Sequence, residues 1–216
     1  MDLPTLKTVK PKWVLTETEA SALLEPLPLL PRTMVGLALL TGLRRGELFA
    51  LRWKNVSVDE GHLTVEEAVY EGAFGTPKTI AGLRRVPLSA ATITLLRQWK
   101  EHAKNTEAEA LVFSTWSGKP ISPNNVLRRW VFRACAKLNL PNATWLTFRR
   151  TYASWAHDKG VPGKVVAQLM GHTNADVTLN VYTQVLDHSL RTAVDRIGSE
   201  LFTIVHGTKT GSELTN

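Results

Sequence analysis

The stretch from Leu146 to Gln184, LTFRRTYASWAHDKGVPGKVVAQLMGHTNADVTLNVYTQ, constrains the fold more than any other part of the chain. A helix beginning after Thr147 holds Arg149 near its start and carries Tyr152, Ala153 and Ala156 on a face that has to be buried. Gly160-Val161-Pro162-Gly163 ends it with turn chemistry. The apolar spacing then resumes at Val165, Val166 and Leu169 in a shorter helix, Gly163 to Met170, whose C-terminal turn delivers His172 behind Gly171. A further helix from Val177 to Leu186 carries Tyr182, and a last amphipathic one, Ser189 to Leu201, follows with Leu190, Val194, Ile197 and Leu201 on one side.

The upstream chain reads as the support for this stretch. Thr16-Glu17-Thr18-Glu19 is a capping box, and the short helix it opens is ended by Pro26 and Pro28. A second helix begins near Pro31 and runs through Met34, Val35, Leu37, Leu39 and Leu40, too apolar to be anything but buried, until Gly42 breaks it. Val56 to Val58, Leu63 to Val69 and Arg84 to Leu88 are expected as strands of a small antiparallel sheet, with Lys78 on the turn-rich tip Gly75-Thr76-Pro77-Lys78-Thr79. Ser89 caps a helix through Ile93, Leu96 and Trp99, and Ser122-Pro123 starts another. On that last helix Arg128, Arg129 and Arg133 lie on faces other than that of Leu127, Val131 and Cys135, a basic stripe suited to phosphates.

Composition narrows the class. With 216 residues, 44% of them hydrophobic, the chain can bury a real core, as one domain or two at most. Its 26 Lys and Arg against 19 Asp and Glu leave a formal charge of +7, which favours a polyanionic partner. The single cysteine, Cys135, excludes an internal disulfide, fits a reducing cytoplasm and lies in an apolar helical pattern, so it is expected as a packed thiol. The N-terminus has no signal-peptide core and no apolar run reaches membrane-spanning length, so a cytoplasmic protein without a membrane partner is expected. No Cys-x-x-Cys or His-Glu-x-x-His pattern occurs, and neither a metal nor a cofactor is expected.

Three motifs together resemble the tyrosine recombinases, the phage-integrase family. Arg149-Arg150-Thr151-Tyr152-Ala153-Ser154, then Leu169-Met170-Gly171-His172, then a tyrosine 182 − 172 = 10 residues on, is similar to the family's C-terminal box. Thr41-Gly42-Leu43-Arg44-Arg45-Gly46-Glu47-Leu48 is similar to its first arginine box, with Glu47 placed at i+3 to buttress Arg44. Lys78, followed by Arg84 and Pro87, is similar to its β-hairpin lysine. The resemblance covers about residues 12 to 200 and implies an α+β, mainly α catalytic domain with a small antiparallel three-stranded sheet. On this basis residues 1–12 are expected as a linker or tail, 13–203 as the catalytic domain and 204–216 as a disordered tail. The family's N-terminal DNA-clamping domain has no counterpart in the sequence, so a catalytic-domain fragment or truncated relative that binds DNA weakly is expected. The helix Ser189 to Leu201 is expected to dock on a neighbouring protomer in a tetramer assembled on double-stranded DNA, from a protein monomeric by itself.

The resemblance also implies roles. Breaking a phosphodiester without metal needs a nucleophile, positive charge aimed at the non-bridging oxygens and an acid for the departing 5′ hydroxyl. Arg44 and Arg149 would clamp the phosphate, since a guanidinium fork donates two parallel bonds and keeps its charge. Lys78 is the expected general acid, His172 a phosphate donor or proton-transfer partner, and Tyr182 the nucleophile that forms a covalent 3′-phosphotyrosyl link for religation. Arg84, Arg128, Arg129 and Arg150 are expected phosphate contacts.

One departure matters. The family usually writes its second box H-x-x-R, whereas three residues before Arg149 this chain has Leu146, which donates no hydrogen bond. Losing one such donor costs on the order of 3 kcal/mol in the transition state. The Trp145 indole is the expected substitute. Two alternatives therefore stand beside site-specific recombination: a catalytically impaired DNA-binding integrase remnant, and an enzyme like type IB topoisomerases, against which the Gly-His-x(9)-Tyr phrasing argues.

Overall fold

A computed structural model describes residues 12–76 and 82–172. Lys78, Tyr182, the two helices expected after His172 and the expected terminal tails up to residue 11 and from residue 204 lie outside the described residues.

The capping box opens α1 (Glu17–Leu24) as the sequence predicts: Thr16 Oγ1 accepts from the Glu19 amide at 3.1 Å and the Glu19 carboxylate accepts from the Thr16 amide at 2.8 Å. The apolar run that follows becomes α2 (Leu29–Thr41), buried on almost every side, with Thr33 and Thr41 returning their hydroxyls to the carbonyls of Leu29 and Leu37. This helix is the axis of the domain: α4 (Ala90–His102) and α7 (Trp145–Asp158) both pack along it. Gly42 ends α2 in the left-handed region at φ 63°, and α3 (Arg45–Ala50) starts three residues later. The chain before α1 is stapled to α7, where the Leu15 amide donates to Thr151 Oγ1 at 3.1 Å and the Trp155 indole donates to the Leu15 carbonyl at 3.0 Å.

Three strands form the expected antiparallel sheet, β1 (Val56–Ser57), β2 (His62–Val65) and, as its other edge, Arg84–Pro87, with Leu63 opposite Val86 and Val65 opposite Arg84. The strand predicted over Leu63 to Val69 is not continuous. It ends at Val65, Glu67 turns aside to pair with Arg52 at 3.2 Å, and a separate hairpin is built from β3 (Ala68–Tyr70) and β4 (Ala73–Gly75), which makes Arg84–Pro87 β5. The turn of that hairpin is Glu71-Gly72, with φ of 49° and 84°, the two positive values a tight two-residue loop requires.

The helix started by Ser122-Pro123 also carries an irregularity. Its first turn, α5 (Pro123–Val126), runs through a π-helical segment, Leu127–Val131, into α6 (Phe132–Lys137). Val126, Leu127, Val131 and Cys135 remain buried while Arg128, Arg129 and Arg133 stay exposed, so the basic stripe survives the change of winding. Burial raises the Cys135 thiol above its ordinary pKa, as befits a packed sulfur.

The helix carrying Arg149 begins at Trp145, three residues before the expected start after Thr147. Thr144 is its cap: Thr144 Oγ1 accepts from the Thr147 amide at 3.2 Å, and Thr147 Oγ1 accepts in return from the Thr144 amide at 3.1 Å. After the Gly160 to Pro162 turn, α8 (Gly163–Met170) packs against α7 and β5, with Val166, Ala167 and Met170 buried.

Candidate active site

The C-terminus of α8 is where the separate motifs meet. A helix ends with carbonyls that lack an intrahelical partner and with partial negative charge, so it attracts donors and cations. Here three successive carbonyls each accept from a different arginine. Arg84 Nε donates to Leu169 at 2.7 Å, Arg149 Nη2 to Met170 at 2.8 Å and Arg44 Nη2 to Gly171 at 2.6 Å. Gly171 allows this by turning the chain in the left-handed region, φ 68°, which exposes the carbonyls and presents His172 immediately beyond.

Each arginine is positioned by its own element. Arg44 caps α3, and Glu47 one turn on holds it twice: its Oε2 accepts from the Arg44 amide at 2.9 Å and its Oε1 from Arg44 Nη1 at 2.8 Å. Arg149 projects from the first turns of α7, donating also to the carbonyl of Gly42 and reaching the His172 Nε2 at 2.6 Å. A Cβ on Gly42 would collide with the Tyr152 ring, so the two arginine motifs are packed against each other at that glycine. Arg149 is 7% exposed whereas the Arg44 side chain is 40% exposed, so an incoming phosphate meets Arg44 first.

The cluster holds three guanidinium groups and one buried carboxylate, which Arg44 and Arg84 both bond, and this leaves it cationic and suited to a phosphate diester. Burial pushes the Glu47 carboxyl up, but the bonds and charge of Arg84, joined by those of Arg44, outweigh it and hold the group below the ordinary carboxylate range. His172 is pushed down to about 4, first by burial and then by the charges of Arg149, Arg44 and Arg84, with Glu47 opposing. The imidazole is therefore neutral at pH 7. Because a guanidinium only donates, Nε2 is the accepting nitrogen and Nδ1 carries the proton. Burial raises the Tyr152 hydroxyl, against the pull of Arg84 and Arg149, which makes it a poor phenolate donor beside the same cluster.

Of the residues singled out in the sequence, Arg44, Glu47, Arg149 and His172 come together. Arg128 and Arg129 are exposed on the α5 to α6 stretch, and Arg150 is half-buried beside Arg149. Arg84 departs from expectation: its side chain is 6% exposed and its guanidinium forks onto the Glu47 carboxylate while also bonding the carbonyls of Leu169 and Gly82. Trp145 departs too. Its ring sits 5.0 Å from that of Phe49 and 5.7 Å from that of Phe148, edge to face with both, and its indole N–H donates to the Pro123 carbonyl at 3.1 Å. It is a core residue and does not replace the missing histidine. Leu146 stands 52% exposed one turn before Arg149, an apolar side chain facing solvent. Sequence reasoning missed Arg84's inward role, although its position in the same motif as Lys78 marked it as unusual.

A cleft of about 1150 Å³ opens between the β3–β4 hairpin and the segment 105–124. Arg45 lines its edge, but none of the converging side chains does. Among the described residues no group of three or more His, Cys, Asp or Glu is placed to hold a metal, and no helix is long and apolar enough to cross a membrane.

The model of the phage integrase family matches residues 14–189. A "Tyrosine recombinase XerC-like" protein of Caldanaerobacter subterraneus subsp. tengcongensis is 28% identical over 190 residues, covering 77% of this chain and 48% of that protein. A "Tyrosine recombinase" of Thermosipho africanus is 31% identical over 188 residues, covering 85% of this chain and 61% of that protein. The chain spans about half the length of the curated relatives it matches. Among solved structures, the Tn1549 transposon integrase in complex with transposon right end DNA superposes with a TM-score of 0.74 at 22% identity, covering 88% of this chain and 68% of that one, and so shares the fold.

Proposed function

Since the chain belongs to the phage integrase family, we propose that it breaks and rejoins double-stranded DNA at specific sites through a 3′-phosphotyrosyl intermediate, without metal or cofactor. The observation that carries this reading is the convergence of Arg44, Arg149 and His172 on the C-terminal end of α8.

In this reading the scissile phosphate lies against Arg44 and Arg149, whose fixed forks stabilise the charge that builds on its oxygens as the fifth ligand arrives. Tyr182 is the attacking group: its phenolic oxygen gives up its proton, which the neutral His172 can take, and bonds to phosphorus; the bond to the 5′ oxygen breaks, and Lys78 supplies the proton to that oxygen. His172, neutral before DNA arrives, gains a partner in the phosphate and can then donate to it. The covalent link conserves the phosphodiester energy, so a new 5′ hydroxyl can reverse the step on another strand. Exchange between duplexes calls for four such sites, and a tetramer assembled on DNA is the proposed working form, acting in the cytoplasm. Residues 13–203 are the proposed catalytic unit.

A second reading, DNA binding without cleavage, is favoured by Leu146, where a donor to the phosphate is expected and none is offered. The test is a set of labelled duplexes tiled across the DNA flanking the gene, each nicked so that the leaving strand is lost. A protein-linked DNA band on a denaturing gel that disappears in Tyr182→Phe supports cleavage. Sequence-specific binding with no such band on any duplex favours the second reading.

A further inference from the structure

We propose that Arg84 is a positioning residue for strand cleavage: it touches no substrate but locks Glu47 and the end of α8 so that Arg44, Arg149 and His172 share one geometry around the phosphate. The inference rests on the reading of this site as a strand-cleaving centre.

Arg84 lies in β5 with its side chain turned inward. Its Nη1 and Nη2 fork onto the two oxygens of Glu47 at 3.0 and 2.8 Å, its Nε donates to Leu169 at 2.7 Å, and Nη1 also donates to Gly82 at 3.1 Å. One side chain thus ties β5, α3 and α8 together. Glu47 in turn holds Arg44 through backbone and side chain, so Arg84 fixes the partner of the partner. On the other side it takes the first of the three carbonyls at the end of α8, the next two of which receive Arg149 and Arg44. Shifting the end of α8 would therefore move the Arg149 and Arg44 contacts and the His172 backbone at once.

The chemistry also requires a guanidinium at this point. A buried carboxylate bonded to one arginine alone would be undercompensated and would draw Arg44 inward, away from the phosphate. A lysine would restore the charge but cannot deliver the parallel pair to Glu47 together with a third bond to Leu169. Misplacement by about 1 Å at a reacting centre costs about a hundredfold in rate.

The experiment uses the full chain with Arg84→Lys and Arg84→Met, on the nicked duplex that gives the strongest adduct with the parent. Single-turnover cleavage rate, DNA affinity and the His172 titration midpoint by NMR are measured on each. Among the described residues, the charged groups that act on His172 include Arg44, Arg84, Arg149 and Glu47. Positioning predicts that both variants cleave about a hundredfold more slowly with DNA affinity unchanged. It also predicts that the His172 midpoint rises in Arg84→Met, which lacks the charge, and stays near the parent's in Arg84→Lys. If Arg84→Met fails to fold, Arg84→Lys decides. A folded Arg84→Lys that cleaves at the parent's rate overturns the proposal, as does a rate loss matched by an equal loss of affinity, which would make Arg84 a phosphate contact. A parent that forms no adduct on any duplex defeats the cleavage reading itself, a result distinct from a cleaving parent whose Arg84 variants cleave equally well.

Discussion

Arg149 and His172 are in direct contact, Nη2 to Nε2 at 2.6 Å, with the histidine as acceptor. The nitrogen that would face a phosphate is thus occupied by the guanidinium that should hold that phosphate. An anion bound by Arg149 competes for the same N–H and adds negative charge beside the imidazole. NMR titration of the DNA-free protein is expected to give a His172 midpoint near 4. Adding inorganic phosphate or duplex DNA should move that midpoint upward. A midpoint that stays put with bound DNA would place the phosphate elsewhere.

The same depressed value has a consequence for stability. Unfolded, the imidazole takes up its proton near its ordinary 6.5, whereas folded it resists until about 4. Between those values the unfolded chain binds more protons, so stability falls as pH drops from about 6.5 toward 4 and is regained as it rises. Glu47 acts in the same direction at the lower end, because its carboxyl is held below its ordinary value. Thermal melts across pH 4 to 7 should show a flatter profile in His172→Gln than in the parent. Identical profiles would contradict the assignment.

Arg149→Lys should fold but cleave poorly. It keeps the charge beside α8 yet loses the simultaneous bonds to Gly42, Met170 and His172. The expected loss in single-turnover rate is about 10²-fold to 10³-fold, with a much smaller loss in DNA affinity. A rate within the parent's error would remove Arg149 from the phosphate clamp.

Leu146→His should be a gain-of-function variant. With the Trp145 indole committed to Pro123 inside an aromatic cluster, the position three residues before Arg149 has no substitute donor from that side chain. A histidine there would start one helical turn from Arg149 on an exposed surface and restore a bond worth about 10²-fold in rate. No acceleration would mean that the donor comes from another part of the chain.

What the sequence made legible was local or motif-borne. The Arg44 and Glu47 pair is three residues apart on one helix, and the Gly171-His172 stop follows a short apolar helix, so neighbours in sequence are neighbours in space. The roles of Arg84 and Trp145 were hidden because their partners are remote: Arg84 reaches Glu47 across 37 residues and Leu169 across 85. Trp145 is enclosed by rings on α3 and α7. The β3–β4 hairpin escaped notice because Glu-Gly is a weaker turn signal than Asn-Gly or Asp-Gly. The π-helical segment leaves the apolar pattern around Leu127 and Val131 unchanged, so no side chain announces it. The start of α7 was misplaced because Thr144 and Thr147 can each cap, and the reciprocal pair uses a threonine where the usual box has Glu or Gln.

If the arginine cluster serves Tyr182 as nucleophile, the covalent link to DNA forms on that residue. The most direct test is to isolate the protein–DNA adduct from a nicked duplex, trim it with nuclease and protease, and locate the nucleotide-bearing peptide by mass spectrometry. The expected product is a single modified peptide carrying a 3′-nucleotide phosphate on Tyr182. Linkage through Tyr70 or Tyr152, or through a 5′ phosphate, would contradict it.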